Sequence, residues 1–594
     1  MDKKKRSFLL TMLIVYVFFL FLGVHFYRGF MEAKANSDLP NLINFVEADL
    51  SNNPMIIQNK DDLKVIVFIT FGFTIFVLLK LTEREKKYRP GTEHGSARWG
   101  TKKEMKKIRD KDKYKNIILS NDVFLSLNTR KTRKNLNVCI LGGTGAGKTR
   151  FYVKPNLLLA NTSYILTDPK GDLFRETGRF FSENGYEIKV INTKNMKESM
   201  KYNLFRYIRS DEDVLKMVDT LIKNTNKGKS GGDPFWEKAE TTLLLALFFY
   251  LYYEAPKEEQ NLPMVMEMID YAEVKEEDEE FESDLDTLFK ELEEENPHHI
   301  AVRQYNSYKV GAGKTLKSIL ISVKTRLAFL TIPTVAELLS EDEMELDLIG
   351  DRKTILYVII PDTDTTYNFL IAMLYTQLFD VLINRADNVH HGQLPFHVRG
   401  IFDEFANIGQ IPEFEKILAT IRSRGISANI ILQSIAQIKA MYKESWETII
   451  DCCDSTVFLG GQKTAEYISK KLGRETIDYR TINKTTGKNG SSSINNSILG
   501  KELMTTDDVE TMPDEDSIVF IRGMRPFKTK KYKIEKDKKY KKLGSDGDNP
   551  NNFYYKDLVA YLEKKEKANK EDLSLENINF SYENINNLMI EIDE

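Results

Sequence analysis

A glycine-rich run, CILGGTGAGKTR from Cys139 to Arg150, limits the local fold more tightly than any other stretch of this 594-residue chain. It satisfies the pattern G-x-x-x-x-G-K-[ST], and the residues around it predict a short buried strand before the loop and a helix after it. In such a unit the backbone N–H groups of the loop and the helix N-terminus favour a bound phosphate. We therefore predict that a nucleotide such as ATP is cradled by Gly142, Gly143, Thr144, Gly145, Ala146, Gly147, Lys148 and Thr149.

The last two residues of the loop have additional predicted tasks. The ammonium group of Lys148 would reach the β- and γ-phosphates, and the hydroxyl group of Thr149 would hold Mg²⁺. A nearly identical run, VGAGKTLKSIL from Val310 to Leu320, lacks the first glycine of the pattern, because Tyr308 occupies that position. The residues before it are polar and do not predict a strand. We expect a helix preceded by a flexible turn there, and no nucleotide site.

An acidic pair closes a second predicted strand, in the stretch GIFDEFANIG at 400–409. Apolar residues bury the strand, and Asp403 and Glu404 emerge at its carboxyl end. The carboxyl ends of parallel strands face the ligand crevice of an open sheet. We predict that Asp403 positions Mg²⁺ through its water shell and that Glu404 polarises the attacking water.

Three further residues follow in ILATIRSRGISANIILQSIAQI, residues 417–438. Gln433 ends the next strand, where a glutamine can sense the γ-phosphate. Arg422 and Arg424 end a helix, and an arginine near a subunit boundary can act in trans on a neighbour's phosphate. A solvated surface role remains open for each arginine. The run FLGGQK at 458–463 is similar to the signature loop of ABC transporters, but it lacks the serine and follows the acidic strand, so we assign it no such role.

The rest of the body alternates between strand and helix patterns, which predicts an α/β fold with a parallel, doubly wound sheet. Strand patterns recur at 164–167, 186–192, 353–362, 398–407, 428–437 and 455–461. Between 211 and 325 they vanish, and DPFWEKAETTLLLALFFYLYYEA predicts a strong helix. The acidic block at 273–295 carries one apolar stripe, as expected of a solvated helix. We therefore predict an inserted all-helical domain.

Two apolar runs near the amino terminus predict a membrane anchor. The first lies between Arg6 and Arg28, and the second, 65–79, is shorter but flanked by lysines that can snorkel outward. A cleaved signal peptide is the alternative for the first run, although no clear cleavage site follows it. Positively charged residues precede the first apolar run and follow the second. The positive-inside rule therefore places both termini in the cytoplasm and the short loop between the runs, about 29–62, on the external side of the membrane.

Composition excludes some classes of function. The net charge of −3 gives no global positive field for nucleic acid, so any such role must come from local patches or from oligomeric geometry. Three cysteines offer neither a disulfide framework nor a CxxC metal site. The charged, Gly- and Asn-rich end from about residue 534 predicts a mobile tail with a few short helices.

Taken together, several motifs resemble those of the conjugative coupling proteins of type IV secretion systems, the TraG/TraD type. These motifs are HGSARWGT after the second apolar run, the glycine loop, DPKGDL at Asp168, DPFWEKAE at Asp233, GKTLKSIL, DEFANIG, and RSRGI followed by LQS. The resemblance implies a RecA-like P-loop nucleotide-binding domain with an inserted all-alpha domain and a two-helix anchor in the bacterial cell membrane. It also implies a homohexamer in which Arg422 is the arginine finger, the residue that contacts the phosphate bound by a neighbouring subunit.

The function that this resemblance implies is an ATPase that moves DNA or protein. Its expected partners are relaxase-bound single-stranded DNA, relaxosome accessory proteins, the subunits of a secretion channel and the membrane, and we expect the acidic block to face protein partners. Two alternatives stay open, a docking receptor that uses ATP only as a switch and a DNA pump of the FtsK type. The predicted divisions are an anchor at 1–85, a nucleotide-binding domain in two parts at 86–210 and 326–533, the insertion at 211–325 and the tail at 534–594.

Overall fold

A computed structural model describes residues 3–53, 56–82, 91–225, 234–275, 281–311, 313–484 and 492–567. The chain divides into two compact units, Met1–Glu93 and His94–Glu594. Part of the acidic block and the chain beyond 567 lie outside the described residues.

The first unit is helical, with α1 at Lys3–Ala35, α2 at Leu42–Asn52 and α3 at Lys60–Thr82. Within α1 and α3, the segments Leu10–Ala35 and Lys60–Lys80 are long and apolar enough to cross a membrane. Most of their side chains are exposed, as expected of surfaces that face lipid. The two predicted apolar runs are therefore both helices of sufficient length.

Charged side chains join the three helices of this unit at one end. His25 Nδ1 lies 2.6 Å from Asp49 Oδ2, which connects α1 to α2. Arg28 Nη2 donates to Asp62 Oδ2 at 2.7 Å, which connects α1 to α3. All four side chains are nearly buried, so the pairs fix how the helices meet.

A nine-stranded sheet forms the centre of the second unit. In sequence order the strands of this unit are β1 Asn116–Ile118, β2 Phe124–Ser126, β3 Val138–Leu141, β4 Ser163–Asp168, β5 Glu187–Asn192, β6 Thr354–Ile359, β7 Val398–Phe402, β8 Ile426–Leu432, β9 Ser455–Phe458, β10 Arg474–Lys484, β11 Ser492–Glu502, β12 Asp516–Ile521 and β13 Phe527–Lys530. The central sheet has the order β13-β12-β9-β3-β8-β7-β4-β6-β5. The seven strands from β9 to β5 are parallel.

All seven strand patterns of the sequence correspond to these parallel strands, so the prediction of a parallel sheet is confirmed. The antiparallel strands β12 and β13 were not predicted, and they extend one edge of the sheet. Two hairpins outside the sheet, β1–β2 and β10–β11, were also missed. Both long strands of the second hairpin expose apolar side chains, including Tyr479 and Ile494, so their sequences lack a clear buried face.

Helices cover the sheet and fill the long interval between β5 and β6. In sequence order those of the second unit are α4 Lys102–Ile108, α5 Thr129–Thr132, α6 Lys154–Leu157, α7 Asp172–Glu183, α8 Asp211–Thr225, α9 Pro234–Tyr253, α10 Leu262–Asp270, α11 Asp284–Glu295, α12 Ile300–Lys309, α13 Gly313–Leu327, α14 Pro333–Leu338, α15 Asn368–Asn388, α16 Phe414–Thr420, α17 Ile435–Met441, α18 Trp446–Asp451, α19 Ala465–Leu472 and α20 Thr506–Glu510. The apolar helix α15 is also long enough to span a membrane, but it is largely buried against the sheet.

None of the described residues from 193 to 353 lies in a strand, in agreement with the helix-only pattern of the sequence. A buried ion pair ties this region together, because Arg326 Nε of α13 donates to Glu240 Oε2 of α9 at 2.9 Å. Arg326 Nη1 also donates to the Thr225 hydroxyl of α8. The apolar core runs without interruption from these helices to the sheet. The exact limits of the inserted domain, 211 and 325, therefore remain a prediction.

Residues 534–567 contain the short helices predicted for the tail, but they pack against the rest of the second unit rather than being mobile. The backbone N–H of Gly544 donates to the Glu176 carbonyl of α7 at 2.8 Å, and the Phe553 ring packs 5.6 Å from Phe174. Residues 555–567 are helical, and the Tyr561 hydroxyl donates to the Tyr186 carbonyl at 2.9 Å. The high charge of this segment concealed a few aromatic anchors, which are enough to dock it on the α7 side of the sheet.

Candidate nucleotide-binding site

The glycine loop leaves the carboxyl end of β3, in the middle of the sheet. Its backbone is held by both neighbouring strands, since Gly142 N donates to the Leu432 carbonyl at 3.1 Å and Gly143 N to the Gly460 carbonyl at 2.9 Å. The helix that follows opens with a π-helical turn, Thr149–Val153, and continues as α6. Such turns often occur at functional sites. Gly460 belongs to the FLGGQK run. This run is not a transporter signature loop, but its backbone helps to hold the glycine loop in place.

Gly147 is required by the shape of the loop. Its φ of +78° lies in the left-handed region, which disfavours any residue with a Cβ. A Cβ at this position would also overlap the ring of Phe151, one turn further along. The sequence pattern therefore demands glycine here for two independent steric reasons.

The side chains predicted for the site converge on the loop. The Thr149 hydroxyl donates to Asp403 Oδ2 at 2.9 Å. Lys148 Nζ donates to the Gly142 carbonyl at 3.1 Å and lies 3.5 Å from Glu404 Oε1. Gln433 Nε2 donates to Glu404 Oε2 at 3.0 Å. The ends of β3, β7 and β8 thus bring five predicted residues into one connected cluster.

The backbone at Glu404 is strained. Its φ of +51° places a non-glycine residue in the left-handed region, directly after β7. Such conformations cost free energy and concentrate at functional sites. Here the turn allows the carboxylate of Glu404 to meet both Lys148 and Gln433, while Asp403 faces Thr149.

Burial dominates the electrostatics of Asp403. Removal from water raises the pKa of this carboxyl group, and the negative charge of Glu404 raises it further. The hydrogen bond from Thr149 and the charge of Lys148 act in the opposite direction. An aspartate in this environment is more easily protonated than usual, and a cation beside it would favour its charged form.

The cleft around these residues has a volume of about 630 Å³ and extends across the carboxyl edge of the sheet. Several residues on its far wall were not predicted from the sequence, namely Asp168, Lys170, Asp172, Glu176, Asp362 and Asn407. The DPKGDL motif lies at the end of β4, and this position is the signal that could have indicated them. Burial raises the pKa of Asp168 to about 6, although the N–H groups of Gly171 and Phe174 donate to its carboxylate.

Lys531 is another residue that the sequence did not reveal. It follows β13, and its Nζ donates to the Ala146 carbonyl of the glycine loop at 3.0 Å. It also lies 5.2 Å from the centre of the Phe151 ring, within range of a cation–π interaction. A residue almost 400 positions away therefore supports the outer side of the loop.

The structure does not bring Arg422 into the cleft of its own subunit. Arg422 and Arg424 precede β8, whereas the glycine loop meets the other end of that strand. Seven residues of strand separate the two ends, roughly 20–25 Å. Arg424 is held by Asp387, with Nε donating to Oδ1 at 2.8 Å, whereas Arg422 Nη2 donates only to the Thr129 carbonyl among the described residues.

The second glycine–lysine–threonine run has no part in the cleft. Gly313 begins α13, which confirms the prediction of a helix, and Lys314 is exposed to solvent. The preceding element is helix α12 rather than a strand. Lys314 therefore lacks the sheet edge that surrounds Lys148.

The donor set of the cleft suits a magnesium ion that is shared with a nucleotide. Mg²⁺ is usually held by one or two carboxylates together with substrate phosphates, and a threonine hydroxyl paired with an aspartate matches that arrangement. Among the described residues, no group of three or more His, Cys, Asp or Glu side chains is placed to hold a metal ion without such help.

The fold and the cleft define a P-loop protein with a RecA-like, mostly parallel sheet and apolar helices at its amino end. The family model described as "Type IV secretory system Conjugative DNA transfer" matches residues 98–557, more than three quarters of the chain. The chain therefore belongs to the conjugative DNA-transfer family of type IV secretion systems.

Named relatives agree with this assignment. The chain is 21% identical over 402 residues to the conjugal transfer protein TraG of Rhizobium radiobacter, a match that covers 66% of this chain and 60% of TraG. It is 24% identical over 416 residues to the protein VirD4 of the same organism, covering 68% of this chain and 58% of VirD4. The match thus spans about three fifths of the length of these two relatives.

Solved structures share the fold. The bacterial conjugative coupling protein TrwBdeltaN70 superposes with a TM-score of 0.54 at 17% identity, covering 75% of this chain and 96% of that protein. Structures of TrwB in complex with ADP and Mg²⁺ and with the non-hydrolysable analogue ADPNP give TM-scores of 0.53. At this identity the comparison establishes the fold alone, and the RecA-like α/β architecture is confirmed.

Proposed function

We propose that this protein is an ATP-driven coupling protein, which links relaxase-bound single-stranded DNA and associated proteins to the channel of a type IV secretion system. The family assignment supports the setting. The observation that carries the motor role is the contact of Glu404 with both Lys148 and Gln433. A receptor that used ATP only as a switch would not need a water-activating carboxylate in this position.

Each residue of the cluster has a distinct task in this proposal. Lys148 and the backbone of the glycine loop bind the phosphates of ATP, and Thr149 with Asp403 holds Mg²⁺, which neutralises phosphate charge when bound. Glu404 orients and polarises the attacking water, while Gln433 fixes the carboxylate of Glu404 and senses the γ-phosphate. Binding of ATP requires Lys148 to exchange Glu404 for phosphate oxygens, which releases Glu404 for its work on water.

Arg422 serves a neighbouring subunit. It lies at the edge of the sheet opposite to its own glycine loop, so it is suited to reach the cleft of the next copy in a ring. Arg424 is less suited, because it is already paired with Asp387. A homohexamer, as the family resemblance implies, would give each cleft one such arginine and couple hydrolysis to movement between subunits.

The membrane arrangement belongs to the same proposal. The two apolar helices α1 and α3 cross the cell membrane, with both termini and the ATPase body in the cytoplasm. The predicted division of the body into a nucleotide-binding domain at 86–210 and 326–533 and an all-alpha insertion at 211–325 separates the motor from the part that receives protein partners.

The experiment measures ATP hydrolysis by the purified full-length protein in lipid nanodiscs, with and without single-stranded DNA. We expect magnesium-dependent hydrolysis that DNA stimulates, and the loss of both in Lys148→Ala. Transfer of DNA between cells is measured for Glu404→Gln, which should bind ATP and dock its cargo but fail in transfer. Full transfer by this variant would favour the receptor that uses ATP only as a switch.

A further inference from the structure

The helical region carries an apolar groove that the nucleotide chemistry does not use. It lies between α9, α10 and α11 and has a volume of about 400 Å³. We call it the α9–α11 groove, and its apolar lining includes Tyr250, Met264, Met268, Tyr271, Leu285 and Leu288. Tyr271 is 52% exposed, an unusual environment for an aromatic side chain beside two methionines. Methionine side chains adapt to varied apolar partners, which makes such a lining suitable for binding another protein.

Carboxylates surround this groove. Glu254, Glu259 and Asp284 line its rim. Within the described residues, neither Glu259 nor Asp284 has a lysine, arginine or histidine within ion-pairing distance, whereas Glu254 lies 3.2 Å from His299 Nε2. A groove with an apolar floor and unpaired negative charge at its edge is complementary to a partner that carries both apolar and positively charged side chains.

The field of these carboxylates reaches the floor of the groove. Burial is the main cause that raises the pKa of the Tyr250 hydroxyl, and the charges of Glu254, Glu291, Glu295 and Glu259 raise it further. Two carboxylates from the turn after α9 and two from α11 thus act on one tyrosine. The negative potential is a property of the whole groove rather than of a single side chain.

We propose that the α9–α11 groove is the docking site for a basic amphipathic helix of a protein partner, with apolar side chains on the floor and lysines or arginines at the rim. A helix that lays its apolar face into a groove is a common mode of recognition. The inference rests on the proposed coupling function and gives its protein cargo a place to bind. The chain's own carboxyl-terminal segment does not fit, because residues 571–594 contain seven acidic residues and no lysine or arginine.

The test uses full-length protein in phosphatidylcholine nanodiscs and a fluorescent 14-residue helical peptide of leucine and lysine with one apolar face. A second peptide keeps every lysine and replaces each leucine with serine. Fluorescence anisotropy, corrected with empty nanodiscs, should show binding of the leucine peptide at least tenfold tighter than that of the serine peptide. Equal binding of the two peptides would reduce the groove to a charged surface and overturn the proposal.

The variants separate the groove from general electrostatics. The double variant Glu259→Lys/Glu291→Lys should weaken binding of the leucine peptide at least tenfold, and Leu288→Ser should weaken it severalfold. The matched control Glu444→Lys/Glu510→Lys makes the same change in net charge at exposed positions elsewhere and should alter binding less than twofold. An equal loss in both double variants would contradict the proposal.

Two additional readouts make the outcomes distinguishable. ATP hydrolysis should be unchanged in all groove variants, which also shows that they are folded. If the wild-type protein bound the peptide through the groove but did not hydrolyse ATP, the motor function would fail and the docking site would stand. If sedimentation showed that Glu259→Lys/Glu291→Lys dissociates oligomers of this chain, the occupant would be a second copy and the proposal would be overturned.

Discussion

Two stretches of this chain share the letters GAGKT, at 145–149 and at 311–315, and they have opposite surroundings. The first follows strand β3 at the centre of a parallel sheet, and only 8% of Lys148 is exposed. The second follows helix α12, and Lys314 points into solvent at the start of α13. The neighbours differ as well, since Lys148 meets Glu404, whereas Lys314 lies on the exposed surface of its helix.

The comparison teaches that the lysine and the threonine do not make a phosphate site on their own. What makes one is the strand before the loop, the bend at Gly147, and the carboxylates and glutamine at the ends of adjacent strands. At 311–315 the preceding element is helix α12, and Lys314 is exposed to solvent.

Replacement of the two lysines should separate the stretches most clearly. Lys148→Ala removes the cation that binds the β- and γ-phosphates, and we expect ATP hydrolysis to fall about 1000-fold. Lys314→Ala removes an exposed helix residue and should change hydrolysis less than twofold. Hydrolysis is measured by phosphate release under saturating ATP. A comparable loss in Lys314→Ala would contradict the assignment of a single cradle.

Glu404→Gln tests the carboxylate that lies beside Lys148 of the first stretch. The amide keeps the size and much of the hydrogen bonding of the side chain but cannot act as a base, so we expect kcat to fall about 100-fold. Binding of a fluorescent ATP analogue should remain within a few-fold of the wild-type value. Glu337→Gln, on the exposed face of α14, is the matched control and should leave kcat unchanged. Loss of binding with unchanged kcat would assign Glu404 a different role.

Gln433→Ala sharpens the comparison at the adjacent strand. It removes the donor that holds Glu404 Oε2, and we expect kcat to fall about tenfold, the effect of one lost hydrogen bond to a charged group. The Michaelis constant should change much less, because Gln433 orients Glu404 rather than the phosphates in the ground state. Gln304→Ala on α12, in the helical region, is the matched control and should leave kcat unchanged. A change confined to the Michaelis constant would argue against the orienting role.

The glycines of the two stretches should respond in opposite directions. Gly147→Ala forces a Cβ into a left-handed backbone and against Phe151, which should destabilise the fold by about 1–2 kcal/mol. Gly313→Ala places a better helix former at the start of α13 and should be neutral or add up to about 1 kcal/mol. Chemical denaturation of the two variants measures both changes. Equal stability of the two variants would contradict the steric account of Gly147.

The smallest effect concerns pH. Because burial raises the pKa of Asp403, its protonated fraction at mildly acidic pH is larger than for an ordinary aspartate, and only the charged form can hold Mg²⁺. Magnesium-dependent nucleotide binding should therefore weaken as the pH falls from 8 toward 6. Asp168 also titrates in the cleft, at about 6, so Asp168→Asn is the control and should keep this pH dependence. An affinity that stayed unchanged between pH 8 and pH 6 would contradict this account of Asp403.

The sequence revealed those parts of the fold and site that depend on local pattern. The buried runs that became β3 to β9 are short and apolar, and the acidic pair at 403–404 follows one of them directly. The same reasoning missed β12 and β13, because nothing local indicates that they join the sheet edge beside β9 in antiparallel orientation.

Long-range contacts account for the rest. Lys531 reaches the glycine loop across almost the whole length of the chain, and no pattern near it announces that contact. Charge dominates the composition of residues 534–567 and predicts mobility, yet Phe553 and Tyr561 suffice to dock them. The sequence correctly predicted a helix beginning within 311–315, because the lack of a preceding strand pattern and of the first glycine can both be seen in the neighbouring residues.

The order of strands in the sheet has a consequence for how the protein is made. Strand β3 lies between β8 and β9, and β8 begins 285 residues after β3 ends. At ribosomal rates of 5–20 residues per second, the glycine loop emerges roughly 15–60 s before the first of these two strands. By then the amino-terminal helices have long left the ribosome. Each nascent chain must therefore protect an apolar strand that has neither of its sheet partners while the chain is still being translated.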